Sequence, residues 1–333
     1  MSWILSGFAA VAVAQATPQP LPPADPLTAE IETGDADRFA ALFERTGGQP
    51  TAEQLQRAYL DRGSYGVRVF TPDRIVDATN LAAAIKAKPE LYARAIRTCL
   101  PIVKNTAAEL RATYLAFHGL FPERALPHIY LVVGAGNSGG TVGPGAQALG
   151  LETLCGIADR PDQLRSILRG FYAHETVHVF QGEPNVEKMG NILLSIVLME
   201  GAADFIATLV TGQQMDPARA AWAAPREAEL WRQFEADLVT MRGARWDQIK
   251  PGTPVAKSLH RWVHNYGNAP KGWPSEAGYW IGQRVWQRWY ERQPDKQAAL
   301  RAMLDLKDPE AVLAAGRFVA QPQAQASITA VRF

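Results

Sequence analysis

"PDQLRSILRGFYAHETVHVFQG", residues 161–182, reads as one long helix, with Pro161 in its first turn and Gly182 and Pro184 closing it. Leu164, Ile167, Leu168 and Phe171 form an apolar stripe, and the next positions along it are His174, Glu175 and His178. Two imidazoles and a carboxylate interrupting such a face are costly to bury without partners. Helical spacing sets residues i and i+4 on one side, so both imidazoles can bind a single ion. Glu175, one position round, can reach a water on that ion without being a ligand. This is H-E-x-x-H in the helical context that pattern demands. The competing reading is a pair of histidines hydrogen-bonded within a core.

Composition sets the frame around this helix. At 333 residues with 47% hydrophobic and 20% charged side chains, the chain can bury a sizeable core and is not a disordered one. A net charge of +1 without a Lys/Arg block gives no nucleic-acid footprint. "MSWILSGFAAVAVAQATPQP" is apolar from Trp3 to Ala14, and Ala14 and Ala16 make an A-x-A cleavage pattern, although no Lys or Arg precedes the run. The expectation is a signal peptide over 1–16, cleaved after Ala16, a Pro-rich linker over 17–30, and a periplasmic or secreted protein. The apolar run is too short for a comfortable membrane span, and no cysteine lies near it for lipid attachment. The two cysteines, Cys99 and Cys155, are either one disulfide or two buried thiols.

From residue 31 the pattern is helical. "DADRFAALFERTGG" stops at Gly47-Gly48, "TAEQLQRAYLDRG" opens on a capping box of Thr51 and Gln54, and residues 79–118 read as two helices broken near Pro101. At 127–156 the register changes. "IYLVV" reads as a strand and "AQALGLETL" as a second. Between them Gly134, Gly136 and Gly139 match G-x-G-x-x-G, but Gly140, Gly143, Pro144 and Gly145 follow, so no helix can start there to face a phosphate. Further helices are expected over 161–181, 187–211, 217–242 and 276–292. The fold class is α+β, mostly α, with a small sheet before the motif helix.

A hydrolytic metal site usually has three protein ligands and one open position. A metzincin arrangement would need Gly at 181 and His at 184, where this chain has Gln181 and Pro184. The next helix carries "MEGAADFIA": Glu200 is a candidate third ligand, the small residues Gly201, Ala202 and Ala203 allow close approach to the motif helix, and Asp204 can accept the second N–H of His174. Asp204 as the third ligand is the competing assignment. Glu183 and Glu187 are nearer in sequence but sit on the turn between helices, where exposed glutamates are ordinary.

"HETVH" followed by "EGAAD" resembles the gluzincins, the thermolysin-like peptidases. More narrowly, "DADRFAALF", "LQRAYLDRGSYGVRVF", "HETVHVFQ", "EGAADFIA" and "GYWIGQRVWQRWYE" are similar to uncharacterised bacterial predicted zinc-dependent proteases related to gliding-motility lipoproteins. The similarity runs over roughly residues 30–300, and this chain departs from those lipoproteins in lacking a lipidated cysteine. The resemblance implies a zincin-like fold, one Zn2+ on His174, His178 and Glu200, the general base Glu175, and Asp204 orienting a ligand. It divides the chain into a helical region over 31–126 packed on a catalytic domain over 127–320, with a tail over 321–333.

Zinc in such a site lowers the pKa of its bound water, and Glu175 takes the proton as that water attacks a carbonyl. Tyr279, near the start of a helix capped by Ser275, is the candidate oxyanion donor, since G-Y-x-x-G recurs in the resembling family. His264 and Tyr266 in "HNYGN" are the alternatives. By resemblance, an extended peptide or protein substrate lies along an edge strand, "AQALGLETL", with 134–145 as a flap or a long turn. The expected activity is a zinc metallopeptidase. A zinc amidase acting on a non-peptide substrate and a non-catalytic envelope binding protein are the alternatives, and non-haem iron is the alternative metal.

Overall fold

A computed structural model describes residues 22–182 and 185–318. The expected signal peptide, residues 17–21 of the linker, Glu183, Pro184 and the 321–333 tail lie outside the described residues. In chain order the elements are β1 (Ile31–Glu32), α1 (Gly34–Arg45), α2 (Ala52–Leu55), α3 (Tyr65–Phe70), α4 (Ala78–Ala87), α5 (Pro89–Arg94), α6 (Leu100–Val103) and α7 (Ala107–Leu120). Then come β2 (His128–Val132), β3 (Gly140–Gly143), β4 (Ala146–Gly150), α8 (Leu151–Gly156), α9 (Pro161–Gln181) and α10 (Ile192–Thr211). The chain closes with α11 (Pro217–Ala223), α12 (Glu227–Thr240), α13 (Pro254–Trp262), α14 (Ala277–Glu291), α15 (Lys296–Asp305) and α16 (Pro309–Gly316). The class is α+β and mostly helical, with a small sheet.

The sheet has the order β1-β2-β4-β3. Its inner strands β2 and β4 run parallel, with Tyr130 opposite Ala148, and β3 returns antiparallel to β4 through the Pro144-Gly145 turn. Gly145 turns there at φ 68°, a conformation that favours glycine. This order corrects the expected substrate strand. β4 is paired on both sides, and "LETL" is the start of α8, so the edge strand next to it is β3, inside the Gly-rich segment, and the two-residue β1 is the opposite edge. Alternation along the strands sends Gln147 to α9, where it bonds Thr176, and Tyr130 to α3, where it packs on Gly66. The sheet therefore lies between α3 and α9. The G-x-G-x-x-G amides have an internal partner: the N–H groups of Gly134 and Gly136 donate to the buried Glu152 carboxylate at 2.9 and 3.0 Å.

The capping box forms at Thr51 and Gln54. The break expected near Pro101 falls elsewhere, at Lys88 and at residues 104–106. Pro101 is accommodated because the preceding turn, Ala95–Cys99, widens to π geometry, which absorbs the donor proline lacks. Cys99 in that turn is disulfide-bonded to Cys155 of α8.

Helix α10 starts later than expected, at Ile192, because the Asn191 side chain caps it, and the segment before it is a short 3-10 turn, Val186–Met189. The 217–242 helix is split by a 3-10 turn at Ala224–Arg226, where Pro225 cannot donate. Ser275 does not cap α14: Glu276 occupies that position, and the Ser275 hydroxyl accepts from the Gly267 amide. Gly201 serves a different neighbour from the one expected. A Cβ on Gly201 would collide with the backbone of Gly282, so its smallness lets α10 cross α14, not the motif helix.

Buried side chains form one core running from Phe39 and Tyr59 through β2 and β4 to α9, α10 and Trp286. The N-terminal region shares it and supplies β1 to the sheet. Among the described residues, α10 alone is long and apolar enough to cross a membrane, and 72% of its apolar window is buried inside the fold, as a core helix is.

Candidate metal centre

Two helices build the centre. On α9 the buried face is Leu164, Leu168, Tyr172, Thr176 and Phe180, one step round from the stripe read in sequence. Phe171, His174 and His178 lie on its flank, half-buried, while Glu175 is buried. α10 brings Glu200 and, one turn on, Asp204 to the same side.

The His174 and His178 Nε2 atoms are 3.0 Å apart, and the Glu200 Oε2 atom lies 3.3 and 3.1 Å from them. Each ring is held from behind. His174 Nδ1 is 3.0 Å from Asp204 Oδ1, and the other carboxylate oxygen accepts from Arg219 Nη2 at 2.7 Å. His178 Nδ1 is 2.7 Å from Gln181 Oε1, and the amide orientation is fixed because Gln181 Nε2 donates to the Met199 carbonyl.

These contacts test whether the residues fit a metal. With both Nδ1–H groups donated outward, the two Nε2 atoms present lone pairs to each other and to a carboxylate, an arrangement that requires a cation or a proton. Without a metal it holds a proton. Burial alone would lower the His174 imidazole, but Asp204 and Glu200 outweigh it and push it up to about 10. Burial alone would raise Glu200, yet His178 and His174 hold it well below the usual carboxylate range. His174, His178 and Glu200 together can hold a metal ion, and two imidazoles with one carboxylate suit a divalent ion taking nitrogen and oxygen donors.

Asp204, the competing third ligand, has both oxygens committed to His174 and Arg219 and stands outside the ligand group. Glu187 pairs with Arg245 at 3.5 Å. Glu175 is also outside the group. Its carboxylate faces β3, where a Cβ on Gly140 would come within 2.6 Å of Oε1. Burial pushes the Glu175 carboxyl up, and the two imidazoles pull it back part of the way.

Comparisons with family models, with curated proteins and with solved structures found no match to this chain.

Tyr279 on α14 belongs to the centre. Its ring is parallel to that of His174, 4° apart at 6.0 Å, with the Arg219 guanidinium 5.0 Å from its centroid. The hydroxyl makes no hydrogen bond among the described residues, and burial keeps its pKa well above the ordinary value, so it is a neutral, unpartnered donor. His264 is exposed in the loop before α14, stacked on Trp246, at φ 57°. Glu276 pins that loop by accepting the N–H groups of His264 and Asn265 at 3.1 and 2.9 Å. Tyr266 is 49% exposed and makes no hydrogen bond or ring contact with the group.

Arg219, Gln181 and Glu276 were not visible as site residues in the sequence. Gln181, which with Pro184 departs from the metzincin pattern, has a role of its own as the partner of His178. Arg219 comes from α11, and nothing in "DPARAAWA" marks it.

Proposed function

We propose that this protein is a zinc-dependent peptidase of the gluzincin type, with His174, His178 and Glu200 holding the metal in a zincin-like domain. The observation that carries this reading is Glu175. It is a buried carboxylate beside the ligands but outside the ligand set, and it faces the free edge of a sheet. A purely structural zinc site would have four protein ligands and no use for that carboxylate.

When bound, zinc would supply Lewis acidity, polarising a substrate carbonyl and making water a stronger acid. The chain's own residues do the rest. Glu175, made more basic by burial, takes a proton from the attacking water and delivers it to the leaving nitrogen. Tyr279, neutral and unpartnered, donates to the oxygen that gains charge, with His264 as a second donor at the rim. The unpaired backbone of β3 offers hydrogen bonds to an extended peptide. The Cys99–Cys155 disulfide supports an exported protein, since such bonds persist in oxidising compartments.

Glu175→Gln tests the reading because it keeps shape and removes the base. Turnover of a peptide library should fall by about 10²–10⁴-fold while zinc content is unchanged. Unchanged turnover would remove Glu175 from the chemistry.

A further inference from the structure

Arg74 sits where the chain turns from α3 towards α4, in the π turn Thr71–Ile75. Among the described residues its side chain makes no hydrogen bond and no ion pair, and its Nε is buried without a partner. A guanidinium that loses water at one edge and gains nothing from the protein is an unbalanced group, since buried polar atoms are nearly always paired.

Its position follows from contacts. The Arg74 carbonyl accepts from the Asn137 side chain at 3.1 Å. Asn137 is three residues from Gly140, a stretch that spans at most about 10 Å. Gly140 is the residue whose Cα faces Glu175. The Arg74 charge is within electrostatic reach of both Glu175 and His264. Arg74 therefore stands at the end of β3 where the strand begins, on the side of the sheet edge near Glu175.

A peptide added to β3 in the antiparallel sense, as β4 already is, would point its C-terminal side at this end of the strand. From this juxtaposition we infer that Arg74 is a specificity residue that binds a carboxylate on the C-terminal side of the scissile bond. The planar fork of a guanidinium matches a carboxylate with two parallel hydrogen bonds. The carboxylate is either the chain terminus or an acidic side chain, and both present the same group. This inference rests on the peptidase reading for its direction but predicts binding as well as turnover.

The test uses zinc-loaded full-length Glu175→Gln, to hold peptides uncleaved, and the same protein carrying Arg74→Gln. Three matched peptides are titrated by calorimetry: one with a free C-terminal acid, one amidated with an internal Glu, and one amidated and neutral. At least one acid peptide should bind about tenfold more tightly than the neutral one, ~1.4 kcal/mol, and Arg74→Gln should abolish the difference. Preference for the free acid alone identifies the terminus, and preference for the Glu peptide identifies the side chain. Equal binding of all three, no binding of any, or a preference that survives Arg74→Gln overturns the assignment. Peptide cleavage by the unsubstituted protein is measured in parallel. Carboxylate preference without cleavage would sink the peptidase reading and keep the Arg74 site, whereas cleavage without preference would do the reverse.

Discussion

Replacing Asp204 by Asn should damage metal binding and folding through two separable routes. Asp204 is 1% exposed, and each of its oxygens has one partner, His174 Nδ1 at 3.0 Å and Arg219 Nη2 at 2.7 Å. An asparagine cannot serve both. With its oxygen towards His174, its NH2 meets the Arg219 donors. Flipped, its NH2 drives His174 to the tautomer that carries a proton on Nε2, the atom needed for the metal. Loss of such a partner typically weakens metal affinity by about 10–100-fold, ~1.4–2.7 kcal/mol. Stranding a buried charge costs ~3–5 kcal/mol. The lower end applies here, because Asp216 remains 3.9 Å from Arg219 Nη1. Zinc affinity is read by chelator competition, and stability by denaturant unfolding of the metal-free protein. Adding Arg219→Met to Asp204→Asn should recover stability and part of the zinc affinity, since it removes both the stranded charge and the donors that keep the amide oxygen from facing His174. Wild-type zinc affinity in Asp204→Asn, or no recovery of stability on adding Arg219→Met, would refute the argument.

Three further outcomes follow from the same geometry. Glu175→Gln should keep zinc and lose turnover. Gly140→Val places a branched side chain where a Cβ alone comes within 2.6 Å of Glu175 Oε1. Turnover should drop by about 10²-fold, since misplacing a reacting group by 1 Å costs that much, with zinc content unchanged. Zinc uptake should release protons at pH 7, because His174, pushed up to about 10 in the metal-free protein, must lose its proton to ligate. Apparent affinity then rises with pH towards that value. Titration calorimetry in buffers of different ionisation enthalpy measures this, and an enthalpy independent of buffer contradicts it.

The parts of the site that lie within one helix were readable in the sequence, because helical spacing alone sets His174, Glu175 and His178. Glu200 and Asp204 were readable as a pair on the next helix, but the choice between them needed geometry: only Arg219, from a third helix, shows why Asp204 is occupied elsewhere. The free edge of the sheet was misassigned because alternation and β-propensity identify strands without giving their order. β3, with two glycines among its four residues, carries little of either signal. Gly201 was read as an accommodation of the motif helix, whereas its constraint is Gly282, a contact between segments far apart in sequence. The cap expected at Ser275 failed because α14 begins one residue later, after Glu276, whose carboxylate is taken by the His264 and Asn265 amides and caps nothing. The disulfide was undecidable for the same reason as the sheet order, since it depends on α8 meeting the π turn at Cys99.

The most direct measurement is zinc per chain by elemental mass spectrometry on the unsubstituted protein and Glu200→Ala. The proposed centre predicts about one zinc per chain in the first and a sharp loss in the second, since the carboxylate is one of the three groups that can hold the ion. Equal zinc in both would move the third ligand elsewhere. No zinc in the unsubstituted protein, after zinc has been supplied, would leave His174, His178 and Glu200 as a proton-sharing cluster and end the account of a metal centre.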